Sequence, residues 1–115
     1  MGEQLNLAAL GSYVRRVGER WALQRALVGG ARVEDADGAP PGRERGSEYI
    51  VVLVSPGFDG LPWLERVHQA GSLWDATEMG APADMHCYTP AEYARKLESL
   101  PSVARASERG IDLLA

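Results

Sequence analysis

Two carboxylates carry the chemistry that this chain could do. Asp84 lies within Ala83-Asp84-Met85-His86-Cys87-Tyr88, a segment whose composition predicts a buried strand. An ionised side chain there is costly unless it is paired or bound to a metal. Glu48 opens a second apolar run, Glu48-Tyr49-Ile50-Val51-Val52-Leu53-Val54. Alternate residues of a strand point to one face, so positions 48 and 50 share a side. Clustered carboxylates hold hard divalent cations. Position 50 is isoleucine, however, and a hydrocarbon cannot ligate such an ion. The pattern suggests a metal site that has lost most of its metal.

Each of these residues also admits a plainer reading. Asp84 could be a strand carboxylate hydrogen-bonded to a loop amide, and Glu48 follows Gly46-Ser47, where charged residues commonly open strands. His86 shares the face of Asp84, and a partly buried strand imidazole accounts for it without a ligand role. Cys87 faces the other way, into the core. Asp35-Ala36-Asp37 repeats the acid-x-acid spacing, but in a Gly/Pro-rich stretch where fixed geometry is not expected. Trp63, Trp74 and Tyr93 fall at core-like helical positions, with base stacking as the alternative. Arg43-Glu44-Arg45 has the composition of a solvated loop. Gly29-Gly30 is a weak signal alone, since glycine pairs end many strands.

The elements that must position these groups follow from periodicity. Leu7, Leu10, Val14, Val17 and Trp21 recur at spacings of three and four, which predicts a helix with one apolar face. A strand is expected over Ala22 to Val28, ended by the diglycine. From Ala31 to Gly46 the composition turns to Glu, Asp, Gly, Pro and Arg, which predicts a long polar loop. Tyr49 to Ser55 is a continuous apolar run, typical of a central strand covered on both faces. Leu61 to Ala76 is expected to be helical, with Leu61, Leu64, Val67, Ala70, Leu73 and Trp74 as its stripe. The third strand is Ala83 to Tyr88. Thr89-Pro90-Ala91-Glu92 combines an N-cap threonine, proline at the first helical position and glutamate three residues after the cap, a capping box worth roughly 1 kcal/mol. That helix carries Tyr93, Leu97 and Leu100. Ser102 to Arg109 predicts a last helix closed by Gly110 as C′ residue, before a short strand over Ile111 to Leu114. Together these give a small mixed α/β (α+β) sandwich without internal repeats.

Composition narrows the function classes. At 115 residues the chain suits one domain with a modest core. A net charge of −4 supplies no electrostatic footprint for nucleic acid. The single cysteine excludes an internal disulfide and suits a reducing compartment. No apolar run is long enough to span a bilayer, and the N-terminus lacks a basic start and an apolar signal core, so a cytoplasmic protein is expected.

The order of these pieces resembles the minimal nucleotidyltransferases of the DNA polymerase beta-like nucleotidyltransferase superfamily: strand, Gly-Gly, loop, Ser-acid-aromatic, apolar strand, Ser-Pro, helix, Asp-bearing strand, and Tyr-Thr-Pro-x-Glu-Tyr. The likeness runs from about Leu7 to Leu113, and its strongest parts are Ser47-Glu48-Tyr49, the segment from Val54 to Arg66, and Asp84 through Tyr93. It implies one nucleotidyltransferase-like domain over residues 1–115, with the 31–46 loop inside it.

By that resemblance, Gly29, Gly30 and Ser47 would lie at the nucleotide, the glycines forming the phosphate turn. An Asp-x-Asp pair at the start of one strand and a third Asp on the next would hold two Mg²⁺ ions. Glu48 stands at the first acidic position, Ile50 at the second and Asp84 at the third, so Glu48 and Asp84 are vestigial metal-ligand candidates.

Two functional readings follow. In one, a catalytically impaired protein binds a nucleotide or a partner, the implied partner being a small helical HEPN-type protein in an antitoxin-like pair. In the other, an active Mg²⁺-dependent enzyme moves a nucleoside monophosphate from ATP or another NTP to a protein or small-molecule hydroxyl. A homodimer is a third, blander expectation.

Overall fold

A computed structural model describes residues 6–36 and 48–114. Helix α1 (Leu7–Gly18) begins where the Asn6 side chain accepts the Ala9 N–H at 3.0 Å. It buries Leu10, Tyr13, Val14 and Val17, while Arg15 and Arg16 sit in its last turn, where the helix dipole favours cations. Leu7, expected on the apolar face, is exposed.

Strand β1 (Arg25–Gly29) starts three residues later than expected, after a turn, and runs into the diglycine. Helix α2 (Ala31–Ala36) then replaces the first part of the expected polar loop. Burial of Val33 and the Glu34 N–H bond to the Gly30 carbonyl explain why those residues are helical despite their polarity. The rest of that loop, with Asp37, the Arg43-Glu44-Arg45 stretch and Ser47, lies outside the described residues.

Strand β2 (Tyr49–Val54) follows, then a single 3₁₀ turn over Pro56–Phe58. The helix expected over Leu61 to Ala76 is shorter, α3 (Trp63–Ser72), and a separate short helix, α4 (Ala76–Met79), begins where it was expected to end. Asp75 starts α4, its carboxylate accepting the Thr77 and Glu78 N–H groups. Gly80, at φ +91°, ends it in the left-handed region. Leu64, assigned to the apolar stripe, is 79% exposed; Arg66 and Ala70 are the buried residues of α3.

Strand β3 (Ala83–Tyr88) and helix α5 (Pro90–Ser99) match expectation, including the reciprocal Thr89–Glu92 capping box. Helix α6 (Pro101–Arg109) leads to a two-residue strand β4 (Ile111–Asp112), shorter than expected. Gly110 is not a left-handed cap, for its φ is −82° and its ψ −179°. It is glycine for want of room: an added Cβ would lie 2.7 Å from the Val28 carbonyl oxygen.

The sheet order is β3-β2-β1-β4, with β2 and β3 parallel and the other pairs antiparallel. The period-2 alternation sorts its side chains into two cores. Ala26, Val28, Tyr49, Val51, Leu53, Met85 and Cys87 join the α1 side chains and Phe58. Leu27, Val52, Val54 and Tyr88 pack with Tyr93, Val103 and Ala106 from α5 and α6, and Ile50 lies at the edge of that second core. Strand β2 is thus central and covered on both faces, as its apolar run predicts. Strand β3 is an edge strand, which the sequence did not show.

Candidate functional site

Register places the sequence-derived residues at one corner of the sheet. Ile50 pairs with Asp84 across the parallel β2/β3 ladder and with Gly29 across the antiparallel β1/β2 ladder. Adjacent strands lie about 4.8 Å apart, and residues directly paired in a ladder point to the same face. Glu48 immediately precedes β2, two residues from Ile50. Positions 29, 48, 50 and 84 therefore gather at the starts of β2 and β3, beside the diglycine turn.

The glycines there are explained by close approach. Gly30 has φ +101°, and a Cβ on it would stand 2.6 Å from the Glu48 carbonyl oxygen. A Cβ on Gly29 would stand 3.0 Å from Ala106 Cα, so its bare backbone lets α6 lie on the sheet.

Each of the two carboxylates has a hydrogen-bond partner of its own. Glu48 Oε1 accepts from Arg32 Nε at 2.9 Å, and Arg32 also donates to the Gly80 carbonyl at 3.0 Å. Asp84 Oδ2 lies 3.1 Å from His86 Nε2. The Asp84 side chain is 49% exposed, not buried as the strand's composition implies, because β3 is at the edge. Among the described residues no group of three or more His, Cys, Asp or Glu side chains is placed to hold a metal ion.

Two groups here, Tyr88 and Arg66, were not picked out from sequence. His86 Nδ1 lies 2.9 Å from the Tyr88 hydroxyl, so Asp84, His86 and Tyr88 form a hydrogen-bonded chain along one face of β3. If the Asp84 carboxylate takes the Nε2 proton, Nδ1 accepts from the phenol. Burial, then the neighbouring Asp84 charge, pushes the Tyr88 hydroxyl up to about 12. The signal was present in the i, i+2, i+4 spacing of these three residues. Arg66 is buried and donates to the Leu61 carbonyl at 2.7 Å, the Cys87 carbonyl at 3.1 Å and Glu92 Oε1 at 2.7 Å. The Arg66 guanidinium holds the Glu92 carboxyl below its ordinary range. Cys87 is buried as expected, and burial pushes its thiol up to about 12, the range of an inert core cysteine.

Of the aromatics, Trp74 packs edge-on against Tyr13 and Tyr49, as a core residue should. Tyr93 is buried and bonded to Ser107. Trp63 departs from expectation: it is 42% exposed and stacks on Tyr88.

No protein-family model matches the chain, and no curated protein matches its sequence. Among solved structures, the chain is similar to a "putative nucleotidyltransferase" from Sulfolobus solfataricus, with a TM-score of 0.53 and 14% identity over 77% of this chain and 71% of that one. At such identity the likeness is one of fold: a mixed four-stranded sheet flanked by helices, of the nucleotidyltransferase kind.

Proposed function

We propose, from the nucleotidyltransferase fold as premise, that this protein has an impaired catalytic centre and works as a nucleotide- or partner-binding subunit. One observation carries the reading: the residue paired with Asp84 across β2/β3 is Ile50. That is where the family's pattern calls for the acid that bridges two metal ions. The donors at the corner do not fit two divalent cations, which demand oxygen ligands. One position is hydrocarbon, one carboxylate is held by Arg32 and the other faces His86. The resemblance to minimal nucleotidyltransferases supplies the partner class, a small helical HEPN-type protein in an antitoxin-like pair, with the single domain acting in the cytoplasm.

The exposure of both carboxylates, 55% for Glu48 and 49% for Asp84, favours a second reading. In it one Mg²⁺ is retained, and the protein remains an enzyme acting on an NTP. Calorimetric titration with ATP separates the two. A binding subunit should give the same affinity with and without Mg²⁺, and Glu48→Ala should leave it unchanged. Tight binding that appears only with Mg²⁺ and vanishes in Glu48→Ala would reverse the conclusion.

A further inference from the structure

At the opposite end of β3 from the acidic corner, a cavity of about 660 Å³ opens between the start of α3 and the outer face of α5. Its size falls in the range of small-molecule sites. Tyr88 lies four residues, about 13 Å, along β3 from Asp84, and His86 between them also lines the cavity.

The two walls differ in chemistry. One is aromatic: the Trp63 indole stacks on Tyr88 with ring centroids 5.4 Å apart and planes at 29°, and His86 stands beside Tyr88. Trp63 is 42% exposed and lines the cavity. The other wall carries Arg95 and Lys96 on α5. Neither side chain makes an ion pair or hydrogen bond with a described residue. Arg66 and Glu92 also line the space, but they neutralise each other at 2.7 Å. Two cations without an ion-pair partner among the described residues thus line the same cavity as an exposed, stacked indole, on a chain of net charge −4.

We infer that this cavity binds a small planar aromatic anion, its ring packed on Trp63 and its charged group between Arg95 and Lys96. Stacking supplies the flat wall, and the two cations select a negative substituent. The Tyr88 hydroxyl, 2.9 Å from His86 Nδ1, is held in place beneath Trp63. The inference does not depend on whether the Glu48 corner holds metal.

The test is calorimetric titration of the full chain, in EDTA, with phenyl phosphate, AMP and inorganic phosphate. Phenyl phosphate or AMP should bind at least about tenfold more tightly than inorganic phosphate, the size of effect expected for one aromatic contact. Preference between the first two tells a simple aryl anion from a nucleotide, and either is consistent with the site. Trp63→Ala and the pair Arg95→Glu/Lys96→Glu should each weaken binding about tenfold or more. These side chains are exposed and the variants should keep the fold, which circular dichroism checks. Glu48→Ala should bind phenyl phosphate as the parent does, which separates this outcome from that of the ATP titration. Binding of both phenyl phosphate and AMP no tighter than that of inorganic phosphate, or indifference to Trp63→Ala, would overturn the inference.

Discussion

Ile50 and Asp84 are ladder partners on the parallel strands β2 and β3, a hydrocarbon beside a half-exposed carboxylate. Carboxylates gathered at one corner repel one another unless cations compensate them. Isoleucine removes one such charge and adds apolar contact at the edge of the core formed with α5 and α6.

Ile50→Asp should invert that balance. Loss of a half-buried side chain is expected to lower stability by roughly 1.5 kcal/mol, with added repulsion from Asp84. Millimolar Mg²⁺ should raise the melting temperature of the variant and leave that of the parent unchanged. Thermal melts with and without Mg²⁺ decide it, and a variant indifferent to the ion would show that the corner cannot be rebuilt by one acid.

Gly30→Ala tests the turn beside that corner. The backbone is left-handed at φ +101°, and the new Cβ would meet the Glu48 carbonyl at 2.6 Å. A destabilisation of about 1–2 kcal/mol from the backbone alone is expected, more if the contact cannot relax. Urea unfolding should show a lower midpoint with an unchanged slope. An unshifted midpoint would mean that the turn adopts another conformation.

Acid sensitivity should centre on Glu92. Its side-chain hydrogen bond to Arg66, aided by the Thr89 backbone N–H, holds the folded carboxyl below its ordinary value of 4.5. A depressed folded pKa means that the ionised form stabilises the fold. The contribution is complete above about pH 4.5 and disappears as pH falls through the lower folded value. Glu34, held down by Arg105, acts in the same direction but is exposed to salt screening. Glu92→Gln should cost about 1–2 kcal/mol at pH 7, the lower part of the range because Glu92 is one-third exposed. It should also flatten the acid limb of the stability–pH curve. A curve as steep as the parent's below pH 4.5 would place the effect elsewhere.

Local chemistry made much of this protein legible from its residues. The apolar run from Tyr49 to Val54 becomes a central strand because no other element could bury it on both faces. The Thr89 capping box forms because its donors and acceptors lie within four residues of each other. Alternation puts positions 48 and 50 on one side of a strand, and the resemblance to minimal nucleotidyltransferases, not spacing, gathered them with the diglycine and Asp84.

Amino-acid order thus determined the elements, because hydrogen bonding and alternation act over a few residues, and the resemblance carried by their sequence supplied the nucleotidyltransferase-like arrangement. Tertiary structure decided what those groups touch. Asp84 is half exposed because β3 ended at the sheet's edge, Glu48 is held by Arg32, sixteen residues distant in the chain, and Trp63 faces Arg95 and Lys96 only because α3 and α5 flank the same strand. Such contacts depend on how separate elements pack, and no short-range pattern encodes them.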